Sequence, residues 1–218
     1  AEATAVAMNV TAVGAQGPGH LAVFPCGQPA PATSNVNYGA GETAPNAVVS
    51  RIGHDGKVCI QTHATTDVIV DIAGYFVADG GFASLATPAR LMDTRPERPT
   101  VDGAAAGVGA LQGQTVYELQ VGGRAGLPRS GASVALNVTA LLGQEPGHLT
   151  VFPCGEEAPT ASNVNYLAGQ TIPNAVIAKL GEDGKVCIRA HSTVDVIVDA
   201  FGLFPAGDGP DLGISQPA

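Results

Sequence analysis

Along residues 5–11 the chain alternates, with Val6, Met8 and Val10 on one side and Ala5, Ala7, Asn9 and Thr11 on the other. A period of two marks a half-buried β-strand. Further short runs rich in Val, Ile, Phe and Tyr predict strands over 19–24, 35–38, 46–52, 57–62 and 67–77. Asp55-Gly56 stands between two apolar runs and predicts a hairpin turn, because both residues tolerate positive φ. Pro45 is expected just before a strand, where its missing N–H costs little. No segment carries a helical period. Six strands with a turn every 8–12 residues or so predict a sandwich or barrel.

The same pattern then returns. Residues 5–76 align with 133–204 without a gap, and about 46 of the 72 positions are identical. Val6-Ala7-Met8-Asn9-Val10-Thr11 reappears as Val134-Ala135-Leu136-Asn137-Val138-Thr139, and Asp55-Gly56 and Pro45 reappear as Asp183-Gly184 and Pro173. An internal duplication of this kind sets the architecture before any other feature does. Between the copies, residues 80–130 have no earlier partner; they predict two more strands, over 85–93 and 115–121. The expected organisation is therefore a first unit over 1–79 and a connector over 80–130. The remainder of a second unit follows over 131–206, with a tail over 207–218.

Composition sharpens this picture. Only 13% of residues are charged and 45% are apolar, which describes a packed protein rather than a disordered one. The net charge of −9 argues against phosphate-based nucleic-acid binding and against docking on anionic lipid. No apolar run approaches the roughly 20 residues of a membrane-spanning helix. The connector differs from its flanks: it holds four acids and five arginines, whereas both copies are strongly acidic. A slightly basic segment between two acidic units is expected to join a core rather than to hang free.

The cysteines repeat with the rest. Cys26 and Cys59 are 33 apart, and Cys154 and Cys187 keep that spacing, as one disulfide per copy requires. Close Cys-x-x-Cys pairs, which zinc would favour, are missing. Two structural disulfides imply an oxidising location and hence a secreted or surface protein, the alternative being four buried thiols in a cytosolic one. Ala1-Glu2-Ala3 is compatible with residues that follow a cleaved signal peptide.

Several strings resemble a tandem repeat of secreted actinobacterial proteins. They are Arg90-Leu91-Met92-Asp93-Thr94-Arg95, Gly126-Leu127-Pro128, the run from Gly147 to Gly155, Ser162-Asn163-Val164-Asn165-Tyr166 and Asp195-Val196-Ile197-Val198-Asp199. The resemblance implies a unit that opens on an Arg-Leu-x-Asp-Thr-Arg strand and closes on a Val-Asp-x-x-Gly strand. By that pattern residues 82–206 form one whole unit of about eight strands, and residues 1–79 form one that lacks its opening portion. The fold expected is all-β: two related, disulfide-containing antiparallel β-sandwich (jelly-roll-like) units, the first incomplete. Three solutions to the gap stand open: the connector serves both copies, the first copy closes without it, or another chain fills the gap by strand donation.

Candidate chemistry is sparse. His20 and His148, like His63 and His191, recur at matching positions, with Asp67 and Asp195 near enough in sequence to pair with the second pair. Asn35, Asn37, Asn163 and Asn165 are polar residues in apolar strands, suited to gripping sugar hydroxyls or to tying down loops. His20, His148 and these asparagines are the candidate ligand-binding residues. Asp71 and Asp199 interrupt apolar strands and need a cation, for which Arg90 or Arg95 is the expected partner, with Asp93 beside them. Calcium ligation by Asp67 and Asp71 or their counterparts is the rival reading, without an Asp-x-Asp-x-Asp-Gly loop to support it. No cofactor is expected. Asn9 and Asn137 open glycosylation sequons that fall inside strands rather than surface loops.

No Ser or Cys stands beside a His as a nucleophile, and no Gly-x-Ser-x-Gly elbow occurs. The leading expectation is a non-catalytic interaction module that binds a protein or glycan. The alternatives are an assembly subunit completed by strand donation and a hydrolase with an unfamiliar site.

Overall fold

The computed structural model describes residues 3–77 and 81–205, and regular structure there is almost wholly β. The first copy forms β1 (Ala3–Val13), β2 (Gly19–Pro25), β3 (Val36–Tyr38), β4 (Ala44–Arg51), β5 (Val58–Thr62) and β6 (Asp67–Val77). The connector forms β7 (Ala83–Asp93) and β8 (Val116–Gln120). The second copy forms β9 (Ala132–Leu141), β10 (Gly147–Pro153), β11 (Val164–Tyr166), β12 (Thr171–Lys179), β13 (Lys185–Ala190) and β14 (Asp195–Pro205). The expected tail over 207–218 lies outside the described residues.

Both connector strands enter the second unit, one per sheet. Its sheets run β12-β9-β14-β7 and β11-β10-β13-β8. Counted from β7 as first strand, these orders read 6-3-8-1 and 5-4-7-2, an eight-stranded antiparallel jelly roll. The first unit runs β4-β1-β6 and β3-β2-β5, the same order without strands one and two. Among the described residues it is a jelly roll with one edge strand missing from each sheet. Neither β7 nor β8 pairs with it.

The prolines and the Asp-Gly pairs show where local pattern and topology part. Pro45 and Pro173 lie within β4 and β12 rather than before them, tolerated because each strand is the edge of its sheet. Asp55 and Gly56 have φ of 56° and 69°, and Asp183 and Gly184 have 54° and 75°, as the sequence predicts. Yet the turn is not a hairpin. β4 and β5 belong to opposite sheets, so the turn is a corner that carries the chain across the sandwich. A Cβ on Gly53 or Gly181 would clash with the backbone of Cys26 or Cys154, so these corners need glycine to lie against the disulfide.

The two cores differ as their strand counts do. In the second unit Leu91 and Met92 of β7 and Leu119 of β8 pack with Val138, Leu149, Ile188, Val196 and Val198. The first unit keeps a smaller cluster around Met8, Val10, Leu21, Val23, Val36 and Val48. A third cluster joins the units through Ala5, Phe82, Ala135 and Phe201. Within it the rings of Phe76 and Phe82 are 4.8 Å apart.

Matched positions test this difference directly. Ile188 is fully buried under β8, whereas Ile60, its equivalent on β5, is 38% exposed. Ile188→Ala is expected to cost about 2–5 kcal/mol, and Ile60→Ala less than about 1 kcal/mol. Urea unfolding of both variants measures this; equal costs would mean that the edge of the first unit is covered.

Candidate functional site

The connector builds the first candidate region. Pairing of β7 with β14 sets Arg90 opposite Asp199. Arg90 donates from Nε and Nη2 to the two oxygens of Asp199 at 2.9 and 3.2 Å, and from Nη1 to Asp93 at 3.1 Å. Arg95 donates to the same Asp93 at 3.0 and 2.8 Å. Burial draws the Arg90 guanidinium down, but the hydrogen bond and charge of Asp199, with Asp93, outweigh it and hold Arg90 above its ordinary value. Burial pushes the Asp199 carboxyl up, against the pull of Arg90. Four of the five expected ion-pair residues therefore meet in one network. The fifth, Asp71, is exposed on β6 and has no ion-pair partner among the described residues.

Above this network lies a cleft of about 560 Å³ between the units. The first unit lines it with His20, Ser34, Asn37 and His63, and the connector with Arg90, Arg95 and Arg98. The cleft thus gathers His20 and Asn37 of the candidate ligand-binding residues. Their counterparts His148 and Asn165 do not line it, because the duplication has only one connector to set against it.

The histidines do not pair with the aspartates that follow them. His20 stacks on His63 with ring centroids 5.4 Å apart, and His148 lies 4.9 Å from His191. The backbone N–H of His63 donates to His20 O, which brings the rings side by side. Asp195 instead accepts from Thr94 Oγ1 at 2.5 Å. Burial first, then the charges of His63 and Arg90, hold the His20 imidazole below its ordinary value. His148 is lowered likewise, by burial, His191 and Arg189.

Asn35 and Asn163 are tied up within the fold. Each side-chain oxygen accepts a backbone N–H of the neighbouring strand at 2.7 Å, from Val23 and Val151 respectively. Asn37 takes a bond to Ser34, and Asn165 accepts from Ser162. Sequence reasoning missed the asparagines that join the units. Asn46 donates to Asn137 Oδ1 at 2.8 Å, Asn137 donates to Ser34 O at 2.6 Å, and Asn46 Oδ1 accepts the Ala175 N–H. A polar residue at a position buried in only one copy leaves no mark in the pattern.

The second candidate region is the open edge of the first unit. On β6, Val68 and Val70 are 39% and 41% exposed, while their equivalents Val196 and Val198 are fully buried. Ile69 and Ile72 are exposed as well, and Ile60 extends the apolar surface onto β5. Beside these lie Asp67 and Asp71, the counterparts of Asp195 and Asp199, which the connector satisfies. Contiguous exposed apolar surface of this kind marks an interaction site more often than an accident of folding.

Among the described residues no three His, Cys, Asp or Glu side chains converge as a metal site. Among the described residues no helix is long and apolar enough to cross a membrane. Disulfides Cys26–Cys59 and Cys154–Cys187 form as the spacing predicts and point to an oxidising environment. No protein-family model, no curated protein and no solved structure matches this chain.

Proposed function

We propose that the chain is a secreted or cell-surface, non-catalytic module that assembles by taking a β-strand from a partner polypeptide into its first unit. The observation that supports this is the contrast between β6 and β14, identical in sequence over their first five residues, one exposed and one buried beside β7. An edge strand with unpaired N–H and C=O groups and an apolar inward face is a template for another strand. The resemblance to tandem extracellular repeats accords with such modularity.

Light scattering behind size-exclusion chromatography tests the reading. The average mass of the chain is expected to rise reversibly with concentration, and Ile69→Lys, which sets a charge on the open edge, is expected to suppress that rise. A strict monomer at every concentration rules out a second copy of the chain as the donor, and failure to bind an added strand peptide as well overturns the proposal. A second reading, a polar or glycan ligand held in the inter-unit cleft, is favoured by the convergence there of His20, Asn37, Arg90 and Arg95.

A further inference from the structure

Resting on that reading, we infer the chemistry of the strand that the first unit accepts: it carries an arginine set against Asp71 and, four residues on, a threonine set against Asp67. The second unit supplies the template. There Arg90 clamps Asp199 with two hydrogen bonds. Thr94 donates its hydroxyl to Asp195, and the same oxygen accepts the Val196 N–H. On the inner face Met92 stands opposite Val198, with Leu91 next to it, and both are fully buried.

Each of these acceptors recurs 128 positions earlier. Asp71, Asp67, Val68 and Val70 stand on β6 at the positions of Asp199, Asp195, Val196 and Val198. Among the described residues the only strand paired with β6 is β1, so its other edge, with both carboxylates, has none of the partners found in the second unit. The first six residues of β6, 67–72, differ from those of β14 only at Ile72, where β14 has Ala200. What covers β14 is therefore the best guide to what β6 takes: an antiparallel strand whose Arg and Thr meet the two carboxylates and whose large apolar residues enter the core. The partner is a polypeptide segment of the Arg-Leu-x-Asp-Thr type. The acidic edge also selects against an apolar strand that lacks the arginine, because the approach would then bury Asp71 uncompensated.

A fluorescent peptide with the sequence of residues 82–97, added to the full chain, tests this. It is expected to saturate one site per chain. The same peptide with Arg90→Gln and Thr94→Val is expected to bind roughly tenfold more weakly. Asp71→Asn in the chain should weaken the first peptide by a similar factor and leave the second unchanged, a coupling that places the contact on β6 rather than on the second unit. Asp71→Arg in the chain should in turn prefer a peptide with Arg90→Asp. Two peptides that bind equally well would leave strand uptake standing and overturn the assigned pattern. If neither peptide binds, the pattern and the strand-uptake reading both fall. Binding indifferent to Asp71→Asn overturns the placement.

Discussion

Replacing Arg90 with methionine is expected to destabilise the second unit by about 3–5 kcal/mol, the cost of leaving the buried Asp199 carboxylate without its cation. Among the described residues Arg90 is the only side chain that satisfies Asp199, and it shares Asp93 with Arg95. Both aspartates are almost wholly removed from water. Without Arg90, Asp199 must either stay charged in a medium of low polarity or take up a proton, and both are costly. The double variant Arg90→Met, Asp199→Leu removes the charges together and is expected to recover most of the loss, because a buried pair contributes little beyond an apolar pair of similar volume. Urea unfolding followed by circular dichroism measures both. If Arg90→Met costs less than about 1 kcal/mol, the pair behaves as a surface contact and the network does not anchor β7.

That network was largely legible in the sequence, and the reason is physical. A carboxylate inside an apolar strand needs a cation, and the arginines are concentrated in the connector, so Arg90 and Asp199 had few other choices. The strands were legible for a similar cause, since alternation over 5–11 reports a two-residue period whatever the neighbours are, and 67–77 is a short run rich in Val and Ile. What alternation does not carry is which strand lies beside which. The Asp-Gly corners illustrate it: their backbone dihedrals follow from the residues, but whether β4 and β5 share a sheet is decided by the long-range pairing of β1 with β4 and β2 with β5. Asp71 shows the same limit more sharply. Its local sequence is that of Asp199, Val-Ile-Val-Asp in both copies, so any local argument must give the two the same partner. Only the count of strands on each side of the connector separates them. The Asn46–Asn137 contact was hidden for a related reason, because it depends on how two units meet and not on either unit alone.

Removing Cys26–Cys59 by a double serine substitution is expected to unfold the first unit selectively, whereas the same change at Cys154–Cys187 should leave the second unit folded. Both disulfides close loops of 33 residues, so the chain-entropy contribution is the same for each, about 3–4 kcal/mol. The margin against which that loss is set differs. The second unit has eight strands and a core that includes Leu91, Met92 and Leu119. The first has six, and Val68, Val70 and Ile60 contribute only part of their burial. With native stabilities of only about 5–15 kcal/mol for a domain, a loss of this size removes most of what the smaller core provides. Exposure acts in the same direction. Cys154 and Cys187 are buried against Phe152, whereas Cys26 and Cys59 are only half-buried, since among the described residues no strand corresponding to β8 lies beside β5. Mild reductant should therefore open Cys26–Cys59 first. Scanning calorimetry of the two double variants separates the cases: an early transition confined to the Cys26→Ser, Cys59→Ser protein is expected. A single shared transition that falls equally in both variants would mean that the Phe82 cluster and the Asn46–Asn137 contact couple the units into one cooperative body. The stability of the second unit would then be shared by the first, and the open edge of β6 would be held in a rigid scaffold, ready for a strand without any cost of ordering it.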